Sequence, residues 1–199
     1  ASIAFHSRVT FDDVYTEGIT KITKTDIEYA KALHASIKLL GTSKWEDDGK
    51  IYSMVAPFMI DSDHPLGHVN GVFNGIFVNG NMLGDTMFYG KGAGKLPTAS
   101  AVVADVVDAV KHQGTNIMTI WEQDKVELGD RTNFACRFFV RVADTTSKET
   151  IEKVFGEVEY VTLADVSGEY AFLTEKLTEG AFEEKSKQVD MIMRIRTAL

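Results

Sequence analysis

The longest regular run of apolar positions lies between Ala99 and Val110. Its apolar residues recur at spacings of three and four, which places them on one face of an α-helix: Ala99, Val102, Val103, Val106, Val107 and Val110. Pro97 suits the first turn, where a missing N–H has no cost, and Gly114 suits a stop. The pattern predicts a helix over residues 98–112.

A second helical pattern follows Thr25-Asp26, a capping side chain with an acid in the first turn. The apolar positions after it lie at near-helical spacing, and Gly41 suits a stop: Ile27, Ala30, Leu33, Ile37 and Leu40. This pattern predicts a helix from Thr25 to Leu40. Tight-turn residues then recur at Asp47-Asp48-Gly49 and Asn79-Gly-Asn81, so residues 36–90 are predicted to be mostly antiparallel sheet with hairpins.

Residues 133–199 show a different pattern of apolar and polar positions. Phe134 to Val142 alternates, with apolar side chains on one face and Arg137 and Arg141 on the other. The segments after it predict the order βαββαβ, a small ferredoxin-like sandwich. The expected fold class is therefore α+β, with a largely antiparallel sheet and helices in residues 1–113, a linker over 114–132, and the sandwich in 133–199.

Composition narrows the function. The net charge of −8 argues against nucleic acid as a partner, because phosphate binding needs clustered Lys and Arg. No apolar run reaches the length of a membrane span, and no secretory signal opens the chain. The single cysteine, Cys136, excludes an internal disulfide and fits a reducing cytoplasm. Within its apolar run it is expected to be a buried small hydrophobe rather than a nucleophile.

The segment Gly90-Lys-Gly-Ala-Gly94 precedes the predicted helix 98–112. A loop of this kind brings backbone N–H groups close to a ligand at a helix N-terminus. The segment fails the Walker A pattern, since Leu96 follows Lys95, and it lacks the third glycine of the Rossmann pattern. A tight strand-to-helix turn without a ligand is the alternative.

Three stretches together resemble the homoserine dehydrogenase family. They are the glycine loop followed by Thr98-Ala-Ser-Ala-Val-Val-Ala-Asp105, the stretch Asp13-Val-Tyr-Thr-Glu-Gly-Ile19, and the stretch His64-Pro-Leu-Gly-His-Val-Asn-Gly-Val-Phe-Asn74. The resemblance implies an NAD- or NADP-dependent oxidoreductase that interconverts L-homoserine and L-aspartate 4-semialdehyde in threonine, methionine and isoleucine biosynthesis. It also implies a cytoplasmic homodimer.

The resemblance also assigns site residues. The glycine loop would border the nicotinamide, which makes Gly92, Ala93, Gly94 and Thr98 the cofactor-binding candidates, with Gly94 the best single contact. His64 would be a neighbour of the substrate site; its alternative role is that of a turn residue beside Pro65. Metal binding through His64 and His68 is not expected, because no third ligand stands nearby. The helix 98–112 would pack back on a nucleotide-binding domain.

The family's dinucleotide fingerprint, acidic substrate ligands and catalytic lysine lie before the segment that matches Ala1. The chain opens inside an apolar stretch, so it reads as part of a longer protein that should not catalyse alone. Residues 133–199 resemble an ACT domain, although the place of its usual glycine reads Ala143-Asp-Thr-Thr-Ser-Lys-Glu149. Two roles remain open for this segment. It binds threonine or another amino-acid effector, or it serves dimerisation without catalysis. Dimerisation through its strands requires Arg137 and Arg141 to face solvent.

Overall fold

The computed structural model describes residues 1–116 and 127–198. These residues form two compact units, one made of 1–61 with 127–198 and the other of 62–116. The middle of the predicted linker, 117–126, lies outside the described residues. The predicted α+β class with a sheet-based core is confirmed.

The first unit is built on one mixed sheet. Its strands are β1 (Tyr15–Thr16), β2 (Ala35–Trp45), β3 (Ile51–Asp61), β6 (Ala135–Ala143), β7 (Val158–Val161), β8 (Glu169–Thr174), β9 (Leu177–Thr178) and β10 (Met191–Ala198). The strand order is β1-β3-β10-β6-β8-β7, with β2 on the other edge of β3 and β9 beside β6. The helices are α1 (Ser2–Phe5), α2 (Lys24–Ala32), α4 (Lys148–Phe155) and α5 (Glu179–Ser186).

The tail has the predicted βαββαβ order once the short β9 is set aside. Its four main strands lie in the order β10-β6-β8-β7, all antiparallel, which is the arrangement of a ferredoxin-like sandwich. One face packs on α4 and α5, because β6 alternates apolar residues toward them: Cys136, Phe138, Val140 and Val142 against Ile151, Phe155 and Phe182. The description of this segment as an ACT domain stays a prediction.

The other face of the tail sheet is covered by α2. Tyr29 and Ala30 of this helix pack against Phe139 and Leu173, and the ring centroids of Tyr29 and Phe139 lie 5.5 Å apart. In addition, β10 pairs in parallel with β3, with Arg196 opposite Phe58. The compact units therefore do not divide at the predicted limits of 113 and 133, because the tail sheet continues into the first 61 residues.

The predicted helix from Thr25 to Leu40 is wrong in its second half. The helix α2 begins after Thr23, whose side chain caps it in a capping box with Asp26, and it ends at Ala32. His34 then takes a left-handed φ of 53°, and β2 begins at Ala35. The pairing of all of β2 with β3 overrides the helical spacing of the apolar residues beyond Leu33.

The second unit consists of a hairpin and a long helix. Strands β4 (Phe73–Gly80) and β5 (Gly84–Lys91) pair antiparallel, a 3-10 helix spans Pro65–His68, and α3 spans Lys95–Lys111. One face of the hairpin packs on the segment before it, where Gly75 leaves room for Val69 and Met87. Across 1–116 and 127–198, no helix is both long and apolar enough to cross a membrane.

Candidate functional site

The glycine-rich segment forms a tight turn between β5 and α3. β5 ends at Lys91 and α3 begins at Lys95, so Gly92, Ala93 and Gly94 make the whole connection. Gly94 has a φ of 114° and a ψ of 159°, a conformation that is essentially restricted to glycine. The predicted strand-to-helix turn is therefore present, and its backbone path requires glycine at position 94.

The start of α3 carries N–H groups without a helical acceptor. Gly94 is the N-cap and has no side chain with which to cap the helix, and Pro97 has no N–H. The Thr98 N–H donates to the Gly94 carbonyl oxygen at 3.1 Å, which leaves the N–H groups of Lys95 and Leu96 outside the ladder. Residues 90–96 are exposed. These N–H groups can therefore donate hydrogen bonds to an oxygen atom of a ligand.

Gly92 lies in close contact with a side chain of the neighbouring strand. A Cβ atom built on Gly92 would lie 2.1 Å from Asn74 Nδ2 and 3.1 Å from Asn74 Cγ. No real side chain tolerates such distances, so the space beside residue 92 is taken by the Asn74 carboxamide. The four cofactor-binding candidates thus lie in one short stretch, and Asn74 joins them from β4.

The glycine loop lies within a region that matches a known protein family. Residues 1–107 match the sequence profile described as homoserine dehydrogenase. The chain belongs to the homoserine dehydrogenase family. The matched region contains all three stretches that carry the resemblance.

Individual members of this family are also similar to the chain. The homoserine dehydrogenase of Pseudomonas aeruginosa is 50% identical over 111 residues, which cover 56% of this chain and 25% of that protein. That of Corynebacterium glutamicum is 50% identical over 118 residues, covering 57% and 26%. The solved homoserine dehydrogenase of Thiobacillus denitrificans superposes with a TM-score of 0.79 at 26% identity, over 98% of this chain and 50% of that one.

A solved homoserine dehydrogenase of S. aureus gives a TM-score of 0.74 at 30% identity, over 100% of this chain and 51% of that one. The chain thus spans about half the length of these solved homoserine dehydrogenases. The segment that matches the curated relatives is about a quarter of their length.

In this chain, the stretch that contains Glu17 contacts the tail through charged groups. Arg196, fully buried on β10, donates through Nη1 to Glu17 Oε2 at 2.7 Å and through Nη2 to Glu179 Oε2 at 3.0 Å. Arg194 donates to the same Glu17 oxygen at 3.0 Å. The Arg196 guanidinium also lies 5.4 Å from the centre of the Tyr15 ring. The network is structural, since it joins β1, α5 and β10.

These contacts displace the pKa values of the paired groups. Burial works to raise the pKa of Glu17, but the Arg196 hydrogen bond and the charges of Arg194 and Arg196 lower it below its ordinary value. Burial likewise works to lower the pKa of Arg196, but Glu179 and Glu17 raise it overall. The charged forms are therefore the stable ones in the folded protein.

Arg141 does not meet the condition, set for pairing of the tail strands between subunits, that it face solvent. Its side chain is 5% exposed, because Nη1 donates to Asp26 Oδ1 at 2.6 Å and Nη2 donates to Glu169 Oε2 at 2.6 Å. Arg141 thereby holds the start of α2 against β6 and β8. Arg137 remains partly exposed, and it pairs with the exposed Glu159.

His64 takes a turn position in the second unit. It is the N-cap of the 3-10 helix, and its Nδ1 accepts a hydrogen bond from the Leu66 N–H at 3.1 Å. Its ring centroid lies 4.7 Å from that of Phe77. Because Phe77 and Asn74 are separated by three positions on a regular strand, they point to opposite faces of the hairpin. His64 therefore contacts the face opposite to Asn74, and its place near a substrate stays a prediction.

Cys136 is a buried thiol on β6. Burial raises its pKa to about 12. At neutral pH the thiol is protonated and a poor nucleophile, which agrees with the expected packing role.

Sequence reasoning missed Asn74 as a neighbour of the glycine loop. The signal present was a polar amide between apolar residues of β4, at the end of the stretch that begins at His64. Only the strand register, in which Asn74 lies opposite Gly90, shows that it reaches Gly92. Glu17 and Arg196 gave no signal of pairing.

Proposed function

We propose that this chain is the C-terminal part of an NAD(P)-dependent homoserine dehydrogenase that interconverts L-homoserine and L-aspartate 4-semialdehyde in amino-acid biosynthesis in the cytoplasm. The observation that carries the proposal is the glycine loop with the α3 that follows it, because the loop and most of α3 lie inside the region, residues 1–107, that matches the family. Gly92, Ala93, Gly94 and Thr98 would border the nicotinamide of NAD or NADP. The cofactor supplies or accepts the hydride when bound.

The residues at the loop fit a cofactor neighbour. The exposed backbone of the loop has no Cβ at positions 90, 92 and 94, and the first N–H groups of α3 remain available. His64 would lie near the substrate. Hydride transfer further needs an acid or base and a complete nucleotide site, which the resemblance places before Ala1. This chain alone is therefore expected to be inactive.

The test measures oxidation of reduced nicotinamide with aspartate semialdehyde as substrate. The full-length protein that contains this chain should turn over with NADPH or NADH, and residues 1–199 alone should not. Absence of turnover by a folded full-length protein with either cofactor would contradict the assignment. Turnover by residues 1–199 alone would show that the catalytic groups lie inside this chain.

A homodimer is part of the proposal. The β4–β5 hairpin exposes Ile76, Val78 and Phe88, which share one face by strand register. An isolated two-stranded hairpin is only marginally stable, so this face is a candidate for a subunit contact. Sedimentation of the full-length protein should give a dimer, and Ile76→Lys should weaken it while Met82→Lys, at the exposed turn, should not.

The apolar stripe of α3 is a second exposed surface. Val102, Val103, Val106 and Val110 are between 56% and 60% exposed. By the resemblance, this helix packs on the nucleotide-binding domain that precedes Ala1. Val106→Asp should therefore lower cofactor affinity in the full-length protein, whereas Asp105→Asn on the same helix should leave it unchanged.

The second candidate function is amino-acid sensing or dimerisation by an ACT-type tail without catalysis. The strand order of the tail favours it. An open groove of about 700 Å³ also lies between α2 and the loop 163–166, where Lys24 and Lys31 could face a carboxylate and Asp165 an ammonium group. Calorimetry with threonine on residues 1–199 separates the two: saturable heat supports sensing, and silence leaves association alone.

A further inference from the structure

Two glycines of the loop differ in what a side chain would meet at their positions. At Gly94 the backbone conformation excludes other residues, while the nearest atom to a Cβ built there, Pro97 Cδ, is at an ordinary 3.7 Å. At Gly92 the nearest obstacle is one side chain, because the three heavy atoms nearest to a Cβ built there all belong to Asn74. Gly90 has open space around it. A methyl group at position 92 would therefore displace the Asn74 carboxamide.

Asn74 reaches this point through the register of the hairpin. It lies directly opposite Gly90, and Gly92 follows two residues later, just past the end of β5. The carboxamide therefore covers the place where the chain leaves the sheet. It is exposed and makes no hydrogen bond to another described residue, so its two donors and its acceptor remain available beside the loop.

We propose that Asn74 is a positioning residue that packs its carboxamide against Gly92 and holds the loop 92–94 in the conformation that accepts the nicotinamide cofactor. This inference rests on the proposed function, because it assumes that the loop borders the cofactor. The path of the loop also sets the direction of the first N–H groups of α3. Displacing a binding element by about 1 Å can reduce a rate a hundredfold, so a small shift at Gly92 is sufficient to be measured.

The test uses four variants of the full-length protein: Gly92→Ala, Asn74→Ala, the double variant, and Gly80→Ala, at the far end of the same hairpin, as the matched control. The added methyl group of Gly92→Ala meets Asn74, so KM for the cofactor should rise about tenfold or more. Gly80→Ala adds the same methyl group where the nearest atom, the Gly84 carbonyl oxygen, is 4.0 Å from the new Cβ, and it should change KM by less than about twofold. Asn74→Ala should raise KM for the cofactor more than it lowers kcat.

The double variant decides the mechanism. Removing the Asn74 carboxamide makes room for the methyl group at position 92, so it should recover at least about threefold of the KM lost in Gly92→Ala. A double variant no better than Gly92→Ala would overturn the proposal, because glycine would then be needed for direct ligand approach. An unchanged KM in Asn74→Ala would also overturn it.

A second measurement does not need activity. Hydrogen exchange of the Thr98 amide, which donates to the Gly94 carbonyl oxygen, should be faster in Asn74→Ala than in the unmodified protein, at an unchanged melting temperature. Equal exchange would overturn the positioning role. Loss of the proposed function itself would look different, because the unmodified full-length protein would then show no turnover with either nicotinamide cofactor.

Discussion

Glu17 and Arg196 are joined by a hydrogen bond of 2.7 Å across 179 residues of sequence. The contact connects a stretch that carries the family resemblance with the last strand of the tail. Arg196 is fully buried and also binds Glu179, which is 1% exposed. The first part of the chain and the tail are therefore held together by a buried ionic network as well as by the pairing of β3 with β10.

Replacement of Arg196 tests how strongly this network is coupled to folding. Arg196→Met should lower the free energy of unfolding by about 3–5 kcal/mol, because it removes both Arg196 hydrogen bonds to the buried Glu179 carboxylate and leaves Arg131 as its remaining charged partner. Arg137→Met, which removes a partly exposed arginine paired with exposed Glu159, should cost less than about 1 kcal/mol. Urea denaturation of both variants measures the difference, and equal losses would contradict a buried network.

The lowered pKa of Glu17 predicts a loss of stability in acid. A carboxyl group with a lowered folded-state pKa contributes stability that is complete above its ordinary pKa and is lost as the pH falls through the lowered value. The free energy of unfolding should therefore decline below about pH 4.5. Glu17→Gln should be less stable than the unmodified chain at pH 7, and the gap should narrow toward pH 3. A difference in the free energy of unfolding that widens toward pH 3 would contradict a lowered pKa of Glu17.

Tyr29 tests whether the tail sheet depends on α2. Tyr29→Ala should cost about 3–5 kcal/mol, because it empties a fully buried site against Phe139. Ile27→Ala on the same helix, at a side chain 44% exposed, should cost less than about 1.5 kcal/mol. Hydrogen exchange should show lost protection in β6 and β8 as well as in α2. Loss confined to α2 would mean that the tail is independent.

Gly94 tests the strained turn before α3. Gly94→Ala should destabilise the second unit by about 1–3 kcal/mol, because alanine rarely adopts a φ of 114°. Gly90→Ala has neither a left-handed φ nor a close neighbour, so it serves as the control. Thermal unfolding followed by hydrogen exchange in α3 compares the two, and an unaffected Gly94→Ala would show that the turn relaxes without cost.

Cys136 should report global unfolding. Because burial raises its pKa to about 12, the folded protein should react slowly with iodoacetamide at pH 8 and rapidly in urea. The reaction rate should rise in Arg196→Met in proportion to the larger fraction of unfolded chain that its lower stability produces. Rapid alkylation of the stable folded chain would show that β6 opens locally.

The sequence by itself predicted the features that depend on local chemistry. The strand-to-helix turn before α3, the apolar stripe of α3 and the βαββαβ order of the tail follow from turn residues, capping residues and periodicity over a few positions, although α3 begins at Lys95 rather than at the predicted residue 98. The cofactor-binding candidates and the family came from three short stretches, and the family match confirms the family assignment.

Only the tertiary structure decided the features that depend on distant partners. Ile37 and Leu40 fit a helix locally, but pairing of β2 with β3 makes them a strand. Arg141 alternates as a solvent-facing residue, but it is buried because Asp26 arrives from a helix 115 residues earlier. Asn74 reaches Gly92 only through the register of a hairpin. Periodicity describes which side chains share a face, whereas the partner of that face is set by long-range packing, and this is the reason that the sequence alone left these contacts open.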